Sequence, residues 1–256
     1  MRSALIGHTG FVGGTLQRQV AFDDGYNSSN IEEIAGQQYG LIVCAGAPAI
    51  KWKANREPEE DLRQIRRLMD PLGKASANHV ILISTVDVYP SPVDVDEATP
   101  IDSSQSAPYG RHRRMLEEFV AARFDHTTIR LPGLFGKGLR KNIIYDFLHD
   151  NALDAICPES VFQFYHLATL WADVERVRNG GVRLMNFATE PISVRDIAAE
   201  VFGRVFDQQG QGNPARYDFR TRHGATLGRN GEYIRSRREV LDAMKRFVAD
   251  QRLASP

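Results

Sequence analysis

The chain has 256 residues, enough to bury a full core as one domain or as one domain with a lobe. Its 32 basic and 32 acidic residues cancel, so no global field draws it to nucleic acid or to an anionic membrane, and no basic stripe is interleaved with aromatics. No apolar run reaches the roughly 18 residues of a membrane helix. The first strand-like run starts almost at Met1, which leaves no room for a signal peptide and points to a cytoplasmic protein. Cys44 and Cys157, the two cysteines, lack metal-ligand spacing and predict neither a metal site nor a structural disulfide. Cys44 reads as a small core residue, and Cys157, beside Pro158, as a loop residue.

In chain order, apolar runs at Ala4–Gly7, Leu41–Ala45, Val80–Ser84 and Thr127–Leu131 predict strands, with a further strand expected within Val20–Asn27. Between them lie helical patterns. Glu59–Leu72 sets Leu62, Ile65, Leu68, Met69 and Leu72 on one stripe, and Pro108–Phe124 does the same with Met115, Leu116, Phe119 and Val120. Alternating strands and helices predict an α/β fold of Rossmann type, a doubly wound parallel sheet. After Leu131 the rhythm changes. Pro132–Gly138 is a turn-rich loop, Asn142–Leu148 a short helix, Val182–Phe187 a strand, Ser193–Phe202 a helix capped by Ser193 with Asp196, Gln208–Pro214 a polar loop, and Ser236–Val248 a closing helix with Ser236 and Glu239 as a capping box. The Arg235–Arg238 stretch reads as a solvated helix face. These features predict one domain: residues 1–131 as the core, and 132–256 as a small C-terminal substrate lobe with returning core elements.

Three groups of residues could carry chemistry. The first is Gly7-His8-Thr9-Gly10-Phe11-Val12-Gly13, a G-x-x-G-x-x-G turn between a buried strand and a helix. Its glycines suit a nucleotide pyrophosphate: Gly7 allows the turn, Gly10 the close approach and Gly13 the packing of helix on strand. Second, Ile83–Tyr89 ends a strand with hydroxyls and a carboxylate, where ligands bind in open α/β sheets. Third, Tyr109 and Arg113 stand four apart near the start of a helix and share a face.

With these residues in place the chain resembles the extended short-chain dehydrogenase/reductases, specifically the NAD(P)-dependent epimerase/dehydratase family, over roughly residues 1–205. Gly7, Gly10 and Gly13 match that family's glycine loop. Thr85, four residues before Tyr89, matches its substrate-binding Ser/Thr, and Tyr109 its catalytic tyrosine. Phe162–Leu167 looks like the segment that enters the family's substrate lobe and brings Gln163 toward substrate. The resemblance implies NAD(P) bound by Gly7–Gly13, by Ala45, Gly46 and Ala47, by Asn27 and Ser28, and by Leu131, Tyr109 and Arg113. It also implies a homodimer through Glu59–Leu72 and Pro108–Phe124. Tyr109 would exchange a proton with a sugar hydroxyl that Thr85 holds, while a hydride passes to or from the nicotinamide.

Arg113 departs from the family's lysine. It keeps the charge but cannot lose a proton, and its planar fork has another shape. Asp87, two residues before Tyr89, stands where sugar-nucleotide 4,6-dehydratases carry a glutamate base, although Val86 replaces a neighbouring acid of the glucose-type enzymes. The simpler reading of Asp87 is a turn residue capping nearby N–H groups. Lys137, Arg140, Lys141 and Asn142 follow a strand where the family approaches the substrate diphosphate, or form a solvated basic loop. NAD and NADP are not separated: Asp23 and Asp24 come early for a ribose-binding acid, and no arginine clamps a 2′-phosphate. His8 serves the turn or the cofactor side, His112 and His166 have no metal spacing, and Trp52 and Trp171 read as core or lid aromatics. The expected activity is oxidation–reduction or epimerisation of a sugar, nucleotide-linked. The alternatives are a non-catalytic NAD(P)-binding regulator, suggested by Arg113, and a 4,6-dehydratase using Asp87.

Overall fold

Runs of β-branched and aliphatic residues flanked by amphipathic helices bury both faces of a sheet, and the folded chain does so in one of two compact units. The computed structural model describes residues 1–208 and 213–254, so residues 209–212 of the polar stretch Gln208–Pro214 lie outside the described residues. The first unit comprises Met1–Ser91, Glu97–Leu131 and Leu170–Asn186, and the second Pro92–Asp96, Pro132–Thr169 and Phe187–Pro256.

The first unit holds a six-stranded sheet of β1 (Ser3–Ile6), β2 (Asp24–Tyr26), β3 (Gln38–Cys44), β4 (Ser76–Thr85), β5 (His126–Leu131) and β6 (Leu184–Asn186). Every pairing is parallel and the order is β6-β5-β4-β3-β1-β2. The register sets Ile6 against Tyr26 and Cys44, Cys44 against Leu82, Thr85 against Leu131 and Arg130 against Asn186, so the carboxyl ends form one rim. Chain order reverses between β1 and β3. That switch point is where open α/β sheets leave a crevice for ligand.

Alternate residues of each strand point to opposite faces. Ala4, Ile6, Ile42, Cys44, Val80 and Leu82 share one face with α3 (Pro58–Leu72) and α4 (Pro108–Arg123), whose Ile65, Leu68, Leu72, Leu116 and Val120 complete that core. Helices α1 (Phe11–Gln19) and α5 (Leu170–Asn179) contact each other and lie against β1 and β5. A short α2 (Lys51–Arg56) follows β3. Burial of Cys44 pushes its thiol up to about 11, in keeping with a core residue, and both cysteines are free. Trp52 is not a core residue: it is 62% exposed. Trp171 is half-buried, edge-on to Phe22 with ring centroids 5.8 Å apart.

Among the described residues, the second unit is built from two-stranded ribbons, α-helices and short 3-10 turns. Val93–Val95 pairs parallel with Asp218–Phe219, Gly133–Phe135 parallel with Phe164–His166, and Val161–Phe162 antiparallel with Ile192–Ser193. Helices Ile143–His149, Val194–Phe202 and Arg237–Ala254 close over a core that includes Phe135, Phe147, Phe164, Ile197, Phe202 and Met244. Their starts follow local chemistry. Ser193 Oγ accepts the amide of Asp196 at 3.0 Å. At the last helix the Ser236 amide donates to Glu239 Oε2 at 2.8 Å, and Ser236 Oγ accepts the Glu239 amide at 3.3 Å, a reciprocal capping box.

Candidate functional site

The glycine turn leaves β1 at the switch point. Gly7 has φ +87°, and its amide donates to the carbonyl of Tyr26 at 2.7 Å. A Cβ on Gly7 would come within 2.4 Å of the Ala45 carbonyl, and one on Gly13 within 2.1 Å of the Gly7 carbonyl. The turn is therefore packed against Ala45–Gly46 at the end of β3 and against the start of α1. Gly10 is exposed and is the N-cap of α1 without a side-chain cap, and the first turn of α1 carries no acid. The amides of Phe11, Val12 and Gly13 belong to that first turn and have no intrahelical acceptor. A nine-residue helix that starts uncapped and acid-free over a glycine cradle suits a pyrophosphate, so these residues fit a dinucleotide.

At the end of β2, Asn27 folds an Asx turn, its Oδ1 accepting the amide and hydroxyl of Ser29 at 2.8 and 2.6 Å. Its Nδ2 lies 3.4 Å from His8 Nε2, so His8 sits over the start of this loop. Ser28 is exposed beside it. Asp23 accepts from Ser3, and Asp24 pairs with Arg2 at 2.7 Å, both at the other end of the strands. Neither reaches the rim where a ribose-binding acid would have to stand. Leu131, buried, ends β5 beside Thr85.

Thr85, Asp87 and Tyr109 come together. Thr85 ends β4, and its Oγ1 caps the turn Val86–Val88 by accepting the amide of Asp87 at 3.1 Å. Thr85 is thus the N-cap of this turn. Gly110 lets α4 close on this turn, since a Cβ there would meet the Asp87 carbonyl at 2.0 Å. That approach brings the Tyr109 phenol beside the Thr85 hydroxyl, which acts on it. Tyr109 is 9% exposed, and burial pushes its phenol above the ordinary value of 10.0. Arg113 pulls it down, Asp87 pushes it up, and Lys51 and the neighbouring Thr85 hydroxyl pull it down.

Arg113 lies beneath Tyr109, its guanidinium carbon 4.0 Å from the ring centroid. It is also committed elsewhere. Nη1 donates to Asp61 Oδ2 at 2.5 Å and to the Tyr109 carbonyl at 3.1 Å, and Nη2 to Asp61 Oδ1 at 2.8 Å and to the Pro48 carbonyl. Those four acceptors match the four terminal N–H groups, leaving only Nε, which is buried without a partner. Asp61 also accepts from or pairs with His112 Nδ1 at 2.7 Å. Arg113 is therefore a clamp joining α4, α3 and the loop after Ala47. Of its N–H groups only that on Nε is left for the cofactor contact expected of Arg113.

Two residues absent from the sequence reading complete this cluster. Lys51 Nζ donates to Asp87 Oδ1 at 2.7 Å, and Asn55 Oδ1 accepts the amide of Tyr109 at 3.0 Å. They stand four apart on α2 and so share a face. The only sequence signal was their position just past the carboxyl end of β3.

In the second unit, the substrate candidates have separate roles. Gln163 is buried, its Nε2 donating to the carbonyls of Thr189 and Phe219 (2.8 Å to the latter) and its Oε1 accepting the Phe219 amide at 2.9 Å. Asn142 caps Ile143–His149, accepting the amides of Ile144 and Tyr145 at 3.0 and 3.2 Å while its Nδ2 donates to the Leu134 carbonyl at 2.8 Å. The polar atoms of both amides are engaged in holding the unit together. Lys137, Arg140 and Lys141 are exposed on the loop after Gly133–Phe135, and partial burial lowers the Lys141 ammonium. His166 stacks on Phe135 at 4.7 Å. Among the described residues no cluster of His, Cys, Asp and Glu could hold a metal, and no helix is long and apolar enough to cross a membrane.

The fold is shared with solved nucleotide-sugar enzymes. MoeE5 in complex with UDP-glucose and NAD superposes with a TM-score of 0.76 at 15% identity, covering 100% of both chains. A UDP-galactose 4-epimerase gives 0.73 at 15% identity, again over 100% of both chains. dTDP-4-dehydrorhamnose reductase from Bacillus anthracis in complex with NADP gives 0.73 at 15% identity, over 97% of this chain and 98% of that one. Comparison with curated proteins finds no match. The profile of the NAD dependent epimerase/dehydratase family matches residues 23–153, a span that includes Thr85, Asp87, Tyr109 and Arg113 and begins after the glycine turn. With that match over half of its length, the chain belongs to the NAD dependent epimerase/dehydratase family.

Proposed function

We propose that the protein oxidises, reduces or epimerises a sugar, carried as a nucleotide sugar, with Tyr109 as its acid/base. The hydroxyl pair Thr85–Tyr109 at the rim of the sheet carries this reading. It stands in the same unit as the glycine turn and Ala45–Ala47, the cradle that suits the pyrophosphate of NAD(P). When bound, the nicotinamide supplies the redox half of the reaction, accepting or returning a hydride. This chain's residues supply the rest. Thr85 holds the reacting hydroxyl, and the Tyr109 oxygen takes its proton during oxidation and returns it during reduction. Lys137, Arg140 and Lys141 are the cations suited to a diphosphate on the substrate side.

The test is turnover of UDP- and dTDP-hexoses with NAD or NADP, followed by nicotinamide absorbance and by NMR of the sugar. Tyr109→Phe is expected to reduce kcat by about 10²–10⁴-fold while leaving dinucleotide binding in place. Wild-type activity that survives this substitution removes Tyr109 from the mechanism. A second reading, a regulator that binds NAD(P) without turnover, is favoured by the capture of Arg113 by Asp61. It predicts dinucleotide binding with no product from any sugar nucleotide.

A further inference from the structure

The charged groups that act on Tyr109 are not confined to the tyrosine's own helix. Arg113 has the stronger pull on the phenol, but it carries its counter-charge with it: Asp61 grips it through both oxygens, and Arg113 and Asp61 are 3% and 4% exposed. The charges facing Tyr109 come from four elements. They are Arg113 with its neighbour His112 on α4, Asp61 on α3, Asp87 on the turn after β4, and Lys51 on α2.

We propose that Lys51 is a positioning residue for Tyr109, its ammonium anchored on Asp87 so as to cancel that carboxylate and lend the phenol a positive charge that the Asp61-bound Arg113 does not supply alone. This rests on the acid/base role proposed for Tyr109. Three contacts build the arrangement. The Lys51–Asp87 ion pair is 2.7 Å long, Asn55 one turn along α2 holds the Tyr109 amide at 3.0 Å, and the bare face of Gly110 seats α4 on the Asp87 carbonyl. α2 is thereby held to the cluster through both Lys51 and Asn55. Left unpaired, the Asp87 carboxylate would hold the proton on Tyr109. Paired, it becomes the anchor for a cation. Lys51 is about half exposed, so this charge can respond to substrate in a way the buried Arg113–Asp61 pair cannot.

The test reads the phenol directly in the protein without cofactor. All eight tyrosines are replaced biosynthetically by 3-fluorotyrosine, which acidifies each phenol and brings its titration below strongly alkaline pH. The Tyr109 fluorine signal is assigned by its loss in Tyr109→Phe. Lys51→Met is expected to raise the Tyr109 midpoint by about one pH unit, and Asp87→Asn to lower it. A side chain that merely supports the fold does not produce shifts of opposite sign. Melting curves check that each variant is folded. A Tyr109 midpoint that is unchanged or lowered in Lys51→Met, or raised in Asp87→Asn, overturns the proposal. Opposite shifts without turnover of any sugar nucleotide leave the electrostatic assignment standing and overturn the proposed reaction instead.

Discussion

Asp61 shows how a single side chain can look like solvent-facing charge and act as a buried keystone. It stands in the acidic first turn of α3 with Glu59 and Glu60, where carboxylates complement the helix dipole. Folding buries it, and it accepts Arg113 through both oxygens and meets His112. Removing one partner of a buried pair strands the other, which costs about 3–5 kcal/mol. Asp61→Ala is therefore expected to lower stability by that amount in urea unfolding, and Asp61→Leu with Arg113→Met to recover most of it. A double variant that loses the sum of the two single-variant losses would show that the pair contributes no coupling. A second buried network, Arg130 with both Glu117 oxygens at 2.9 and 2.6 Å and with the Tyr89 hydroxyl at 2.7 Å, ties β5 to α4 in the same manner.

At the scale of elements, the seating of α4 decides whether the hydroxyl pair exists. Gly110→Ala places a methyl group 2.0 Å from the Asp87 carbonyl, so helix and turn must part. The expected result is a loss of ~1–3 kcal/mol in thermal unfolding, with kcat reduced more than KM is raised as Tyr109 leaves Thr85. The elements themselves were largely legible. Ala4–Gly7, Leu41–Ala45, Val80–Ser84, Thr127–Leu131 and Val182–Phe187 all fall on observed strands, because strands buried on both faces read as continuous apolar runs. β3 and β4 begin earlier than expected, at Gln38 and Ser76, since their first residues are polar and lie at the exposed end of the sheet. The glycine turn, and the strand end and helix start that carry Thr85 and Tyr109, could be picked out because those patterns are local. The contacts of Lys51 and Arg113 could not. Each depends on a partner far along the chain, Lys51 on Asp87 and Arg113 on Asp61, and no local periodicity reports such a pairing.

For the whole molecule, stability is expected to fall on both sides of neutrality. Burial, followed by the charge of Arg246, lowers the His166 imidazole below 6.5, so the folded state binds fewer protons than the unfolded chain. That contribution is present above about pH 6.5 and is lost as pH falls through the folded value. Burial raises the Cys44 thiol from 9.0 to about 11, which gives stability present below pH 9 and lost as pH rises toward 11. Buried Tyr39 adds to the alkaline loss, its phenol raised by desolvation and by the Tyr26 hydroxyl 2.6 Å away. Melting temperatures measured from pH 5 to 11 should form a plateau with two falling limbs. His166→Gln flattens the acid limb and Cys44→Ala the alkaline one. Limbs that survive both substitutions would place the proton linkage elsewhere.

The interleaving of the two units also imposes an order on biosynthesis. β6 and α5 belong to the first unit, yet the ribosome delivers them only after the intervening stretch Pro132–Thr169 of the second. Until Leu184–Asn186 emerges, β5 is a bare strand edge on a nascent sheet, the kind of surface that recruits other chains. Slow translation across residues 132–169 would lengthen that exposure. A premature stop before β6 would leave a sheet that carries the whole Thr85–Tyr109 cluster and still has an unpaired edge.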